Sequence, residues 1–226
     1  MTRQHLRPTL AITLIAATLM ALAACGDSPT RPRPETPAYD PTSLTGGQFY
    51  RWTHGSTVRV WVLQPDDATR DVRSATTSAI AAWNAVPTSR EFRLEAATSL
   101  ANANVLILDR STPLPVVAAA SCPFEPRGST GYTYFCPQGN RAQQLMTTVG
   151  GATLVSVVIR LDVGGMASQA ILDAVVAHEL GHAIGIGGHS PNPSDVMYGS
   201  PTIRIPTNRD SQTLQFLLGE SPTFTL

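Results

Sequence analysis

Three histidines and one glutamate fall within twelve residues, and they are the side chains of this sequence best suited to metal chemistry. His178 and His182 are four positions apart, Glu179 directly follows the first of them, and His189 comes seven positions after the second. In an α-helix, residues four apart lie on one face, about 6 Å apart along the axis. Two imidazole nitrogens on one face can each reach one zinc ion at about 2.0–2.1 Å. The spacing therefore predicts a zinc site on a helix.

Glu179 has a different predicted role from the histidines. It points roughly 100° away from His178 around the helix, so it is placed to act on a metal-bound water rather than on the metal. Zinc lowers the pKa of such a water towards about 7, and a carboxylate can then take its proton as the water attacks a carbonyl carbon. The predicted chemistry is hydrolysis, with Glu179 as the catalytic base.

A hydrolytic zinc site usually has three protein ligands and leaves one position for water. His189 is the candidate third ligand, and Asp195 or a water is its competitor for that position. Gly185 can take the left-handed conformation that ends a helix. The glycines at 187–188 then allow the chain to fold back, so His189 can approach the other two histidines.

The helix that must carry the motif is predicted from Gln169 to about Ile184, with Ser168 as its N-cap. Four stretches have the composition of strands, and a helical pattern precedes the C-terminus. The expected strands and helix are Thr57–Leu63, Phe92–Ala96, Val105–Leu108, Thr153–Val163 and Asn208–Leu218. Because Val105–Leu108 is apolar throughout, we expect it inside the sheet.

A further helix is predicted between the first two strands. Asp66 and Asp67 offer an N-cap, and the helix is expected to end before Pro87. Its apolar face comprises Val72, Ala75, Ala79, Ile80 and Trp83. Strand, helix, strands and helix in this order predict an α/β fold with a mostly parallel sheet.

The residues after the H-E-x-x-H-x-x-G motif, which ends at Gly185, extend it into a longer pattern. His189 is followed by Ser190, and Met197, eight positions after His189, is followed by Tyr198. This pattern resembles the metzincin zinc metallopeptidases, most closely the matrixin family. In that family the third histidine comes three residues after the glycine, whereas here it comes four residues after it. The glycine-rich loop is expected to absorb the extra residue.

The similarity extends more weakly over most of the chain, to Arg51-Trp52, the helix ending near Trp83, and Asp210–Gly219. The resemblance implies an α/β (α+β) fold, in which a twisted five-stranded mixed sheet packs on the zinc-binding helix. It also implies a turn around Met197 beneath the metal and a C-terminal helix.

The resemblance further implies a catalytic Zn²⁺ with His178, His182 and His189 as ligands and Glu179 as general base. Vertebrate matrixins also carry a structural zinc bound by upstream histidines, but this domain has only His54 there, so we predict one zinc ion. No sequence feature indicates calcium. Peptide substrates in that family bind antiparallel to the edge strand. Residues after Tyr198, up to about Thr207, would then line the S1′ pocket, which takes the side chain after the scissile bond.

Composition limits the partners. The chain has 226 residues, 42% of them hydrophobic, and its 16 Lys+Arg balance its 16 Asp+Glu. A nucleic-acid binder would show a basic excess, and a disordered chain would combine low hydrophobicity with high net charge. The composition therefore indicates a folded chain that binds no nucleic acid. The resemblance implies a protein or peptide substrate, and we expect a monomer.

The N-terminal residues predict export. Arg3 and Arg7 precede an apolar stretch of about 13 residues, too short for the roughly 20 of a spanning helix, and Leu-Ala-Ala-Cys25 follows it. This sequence resembles a bacterial lipobox, which implies that residues 1–24 are removed and that Cys25 is lipidated. An ordinary cleavable signal with an incidental cysteine is the alternative. The protein would then be held on a membrane by lipid alone, facing the periplasm or the cell exterior.

Two more segments are assigned from composition. Residues 25–48 contain five prolines between Gly26 and Ser43 and are predicted to form an extended tether, which leaves 49–226 as the metallopeptidase domain. Cys122 and Cys136 are predicted to form a disulfide in an oxidising compartment. A metal site that includes these cysteines is the other interpretation, although no histidine lies near them.

Two further functions are compatible with the motif. A surface-binding lipoprotein could keep the metzincin fold and its zinc and use the cleft for adhesion or sequestration. Such a protein would need the three histidines but not Glu179. An esterase or amidase could use the same metal-bound water on small substrates.

Overall fold

The computed structural model describes residues 34–64, 69–87, 91–112, 129–135, 144–148 and 151–226. The predicted signal peptide, Cys25, Cys122 and Cys136 lie outside these residues, as do Asp66 and Asp67. Within the described ranges, no helix has the length and hydropathy needed to span a membrane.

The described chain contains nine strands and three α-helices. The strands are β1 (Tyr50–Arg51), β2 (Ser56–Leu63), β3 (Phe92–Ala96), β4 (Val105–Asp109), β5 (Gly131–Phe135), β6 (Gln144–Thr148), β7 (Gly151–Val155), β8 (Val157–Leu161) and β9 (Phe224–Thr225). The helices are α1 (Val72–Asn84), α2 (Gln169–Ala183) and α3 (Asn208–Leu217). This is the predicted α/β fold.

Five strands form one mixed sheet in the order β3-β2-β4-β8-β5. The first four are parallel, and β5 pairs antiparallel with β8 at the edge. As predicted, Val105–Leu108 lies inside the sheet, and these four residues are fully buried. The five-stranded mixed sheet, the helices packed on it and the C-terminal helix are confirmed.

The prediction of a single strand over Thr153–Val163 is wrong, because the strand is interrupted at Ser156. The amides of Ser156 and Val157 both donate to the carbonyl of Asn104, at 2.9 and 3.2 Å. Two successive amides directed at one acceptor interrupt the regular ladder. Residues before the break form β7, which pairs with β6 in a separate two-stranded sheet, and those after it form β8.

Helix α1 has the predicted apolar face, and all five of its residues are buried. Its predicted N-cap is wrong. Asp71 caps the helix, and its side chain accepts a hydrogen bond from the Ser74 amide at 2.9 Å. The carboxylate must lie directly before the first helical residue to reach an amide of the first turn, which places the cap beside Val72.

Residues 38–45, assigned from composition to the tether, pack on the folded domain. The Tyr39 ring is 6% exposed, and its hydroxyl donates to Asp210 Oδ1 at 2.9 Å. The Leu44 amide donates to the carbonyl of Gly187 at 2.8 Å. A buried aromatic ring and several long-range hydrogen bonds attach residues 38–45 to the domain, so the tether prediction does not hold for them. We call residues 38–45 the N-terminal strap.

Tyr39→Phe should lower the free energy of unfolding by about 1.5–3 kcal/mol, because Asp210 is fully buried and loses a donor to its carboxylate. Chemical denaturation measures this change. Tyr50→Phe is the matched control, since the Tyr50 hydroxyl bonds to Gln48 at an exposed position, and we expect an effect within about 0.5 kcal/mol. Equal losses in the two variants would contradict a stabilising role for the strap.

Candidate metal centre

Helix α2 carries the motif in the interior of the domain. Ser168 caps it as predicted, accepting from the Ile171 amide at 3.3 Å. Near its other end, the Trp52 indole donates to the carbonyl of Ala183 at 2.8 Å, which satisfies one of the four carbonyls that a helix end leaves free. His178, Glu179 and His182 are 4–7% exposed.

The chain leaves α2 through a tight glycine turn. Gly185 has a φ of 114°, its amide donates to the His182 carbonyl, and the Ile186 amide donates to the Gly181 carbonyl. These two bonds form a Schellman motif, in which the residue with positive φ is usually glycine. The predicted role of Gly185 as the helix-ending turn therefore agrees with the structure.

The extra residue before His189 is accommodated where the N-terminal strap lies against the loop. A Cβ at Gly188 would overlap the carbonyl oxygen of Asp40, so only glycine allows the two segments to approach this closely. His189 still reaches the helix histidines, since its Nε2 lies 3.2 Å from His178 Nε2.

The three imidazoles converge through their Nε2 atoms. His182 Nε2 lies 3.1 Å from His178 Nε2, and the three ligand atoms all lie within 4.8 Å of one another. Four-coordinate zinc with Zn–N bonds of about 2.0–2.1 Å separates its ligand nitrogens by about 3.4 Å. His178, His182 and His189 thus form a group that could hold a metal ion, as predicted.

In His178 and His182, the Nδ1 atom forms a hydrogen bond to a backbone carbonyl, which fixes Nε2 as the nitrogen that faces the other histidines. His178 Nδ1 donates to the Val196 carbonyl at 2.8 Å, and His182 Nδ1 donates to the Ile186 carbonyl at 2.6 Å. With the proton on Nδ1, each Nε2 presents a lone pair to the other ring. Two lone pairs about 3 Å apart repel each other, and a cation between them turns that repulsion into coordination.

The surroundings keep these rings neutral. Burial lowers the pKa of His178 to about 4. It also lowers the pKa of His182 well below the ordinary value, and the repulsion that two protonated rings would feel acts in the same direction. Burial also lowers the pKa of His189. Neutral imidazole is the ligand form for zinc, whereas calcium takes oxygen ligands. The donor set therefore fits zinc.

Met197, which the resemblance assigns to a turn beneath the metal, packs against helix α2. It is fully buried, and a Cβ added to Gly181, between the two helix histidines, would overlap its sulfur. Its amide donates to Asp210 Oδ1 at 3.3 Å, and the Val196 amide donates to Asp210 Oδ2 at 3.0 Å. The turn that supplies the Val196 carbonyl to His178 is thus tied to helix α3.

Asp195, the competing third ligand, is engaged elsewhere. Its carboxylate is 1% exposed and accepts hydrogen bonds from Ser190, Thr207 and Arg209 at 2.5–2.9 Å. Burial alone would raise the pKa of Asp195, but these three donors together lower it. The structure brings His189, and not Asp195, to the helix histidines.

The Glu179 carboxylate is buried beside the three histidines. Burial raises its pKa to about 7, and a hydrogen bond from Thr133, on β5, acts in the opposite direction. Sequence reasoning missed both β5 and Thr133. The signal was the alternating aromatic and small residues of Gly131–Phe135, a pattern that favours a strand.

The site opens into a cavity of about 510 Å³, within the range of small-molecule sites. Its walls include all four motif residues, part of β5, the loop at 199–201 and two residues of the N-terminal strap, Leu44 and Thr45. The first residues after Tyr198 thus lie at the cleft, as the resemblance implies. The contribution of the strap was not predicted.

Comparison with known proteins assigns no family: no family model matches the chain, and no curated protein matches its sequence. The functional argument therefore depends on the motif and on the geometry of the site.

Proposed function

We propose that this protein is a zinc-dependent endopeptidase of metzincin type, most similar to the matrixins. The observation that carries the proposal is a buried carboxylate, Glu179, in a cleft beside three histidines whose Nε2 atoms converge. A protein that only holds zinc needs the histidines but not a second buried charge, since an ionised carboxylate is costly to bury.

The residues present supply the parts of a hydrolytic reaction. When bound, zinc supplies a Lewis acid that polarises the scissile carbonyl and acidifies water. Glu179 accepts the proton of the attacking water and returns it to the leaving amine, a role for which a pKa near 7 is suitable. The Val196 and Ile186 carbonyls fix the ring orientations of His178 and His182.

The shape of the cleft favours an extended peptide as substrate. In the described sheet, β5 pairs on one side with β8 and forms the edge next to the centre. A strand at the edge of a sheet can bind a peptide as an additional strand through backbone hydrogen bonds. The loop at 199–201 lies on the cavity wall, where it would contact the residue after the scissile bond.

The same proposal includes the location of the enzyme. The basic and apolar N-terminus followed by Leu-Ala-Ala-Cys25 supports export and lipid anchoring. The neutral overall charge supports a role for lipid rather than electrostatic attraction in membrane attachment.

The test is proteolysis by the chain that begins at Gly26. The purified protein loaded with zinc should cleave casein or gelatin, a zinc chelator should abolish cleavage, and added zinc should restore it. Mass spectrometry of a digested peptide library would then identify the residues preferred on each side of the scissile bond. Turnover of small esters or amides without proteolysis would instead indicate an esterase or amidase.

A further inference from the structure

The Glu179 carboxylate is in direct contact with the edge strand. Thr133 Oγ1 lies 2.6 Å from Glu179 Oε2 and 3.1 Å from the backbone carbonyl oxygen of the same residue. A hydroxyl has a single proton to donate, so the shorter contact, to the charged oxygen, is the one it makes. Thr133 is 9% exposed, and Glu179 is 4% exposed. Little solvent therefore competes for this bond.

The same strand closes the other side of the carboxylate. Gly131 and Thr133 are two positions apart on β5 and so share one face, the face towards α2. A Cβ at Gly131 would lie 2.6 Å from Glu179 Oε1 and 2.9 Å from Val175 Cγ1. The absence of a side chain at 131 leaves just enough room for the carboxylate.

These contacts distinguish the two oxygens of Glu179. Among the described residues, the side-chain hydrogen bond to the carboxylate falls on Oε2, whereas Oε1 lies against Gly131. A carboxylate that turns about its last torsion has little intrinsic orientational preference. An external donor is therefore needed to hold one orientation.

We propose that Thr133 is a positioning residue that holds the Glu179 carboxylate in its reactive orientation through the Oγ1–Oε2 hydrogen bond. The inference rests on the proposed hydrolytic function, which it deepens by assigning part of the base's geometry to the edge strand. The strand that would bind the peptide backbone thus also orients the base that acts on it.

Thr133→Val and Thr133→Ser separate the hydroxyl from the shape of the side chain. Valine keeps the volume and removes the donor, so we expect kcat to fall about 10- to 100-fold, by analogy with the loss seen when a residue that orients a metal ligand is removed. KM should change little, because the hydroxyl bonds to Glu179 rather than to substrate. Serine restores the donor and should recover most of the wild-type kcat.

Thr76→Val is a matched control. Thr76 on α1 is also a buried threonine, and its hydroxyl donates to the Val72 carbonyl at 2.8 Å. Its loss should cost stability and leave kcat near the wild-type value. A similar fall of kcat in this control would show that Thr133→Val acts by general destabilisation, and it would overturn the proposal.

A crystal structure of zinc-loaded Thr133→Val gives a readout that is independent of activity. We expect the Glu179 carboxylate to be rotated or to occupy two orientations, whereas Thr133→Ser should keep the wild-type position. An unmoved carboxylate in the valine variant, or equal kcat losses with valine and serine, would overturn the inference. If wild type holds zinc and hydrolyses nothing, the proposed function fails, and the crystal structures still decide whether Thr133 orients Glu179.

Discussion

Glu179→Gln is expected to lower kcat for peptide hydrolysis about 10²- to 10⁴-fold while zinc remains bound, because this is the usual contribution of a positioned general base. Glutamine has the shape of glutamate, and its carbonyl oxygen can still accept the hydrogen bond from Thr133. It cannot accept a proton from water. The three histidines that converge on the metal are unchanged.

The measurement combines steady-state hydrolysis of a peptide found in the cleavage profile with zinc content by mass spectrometry. Glu95→Gln is the control, since Glu95 lies on the surface, where Arg93 is 3.4 Å away, and we expect wild-type activity from it. Undiminished hydrolysis by Glu179→Gln would assign the base to another group. If wild type and Glu179→Gln both hold zinc and neither cleaves any substrate, the non-catalytic binding lipoprotein becomes the better reading.

His189→Ala should weaken zinc binding by at least about 100-fold, because loss of a residue that merely orients a ligand already costs about 10- to 100-fold. The remaining pair, His178 and His182, holds only two of the three nitrogens that now converge. Peptide hydrolysis at limiting zinc should fall in parallel.

Asp195→Ala is the matched comparison, because Asp195 was the competing ligand. Its carboxylate is held by Ser190, Thr207 and Arg209, so its removal should lower the melting temperature while zinc stoichiometry stays near that of wild type. Competition with a chromogenic chelator, below the melting temperature of both variants, measures the two affinities. Zinc binding that survives His189→Ala and fails in Asp195→Ala would show that the assigned ligand set is wrong.

Local sequence patterns correctly predicted the helices and strands whose capping residues or periodicity lie within a few residues of one another. The Ser168 cap and the glycine turn at Gly185 bracket α2, and period-two alternation marks β2. Capping and periodicity involve neighbours in the chain, so they can be read without knowing what packs against the element. The motif itself is of this kind, since the i, i+4 spacing places two histidines on one face.

Contacts between distant parts of the chain were not predicted. Thr133 and Glu179 are 46 residues apart, and Tyr39 and Asp210 are 171 residues apart. The proline-rich composition around Tyr39 was typical of a tether, yet one buried ring and the loop glycines attach it to the domain. Likewise, the break at Ser156 depends on the Asn104 carbonyl of another segment, which no local pattern can reveal.

The sequence by itself determined the helix that carries the H-E-x-x-H motif, and it indicated His189 as the better candidate for a third metal ligand. Only the tertiary structure decided that His189 meets the pair despite its extra residue, that Asp195 is held elsewhere, and that β5 contacts the Glu179 carboxylate. The physical reason is that ligand type and helical phase are properties of short segments. Convergence on one ion and the burial of a charge depend on which surfaces the folded chain brings together.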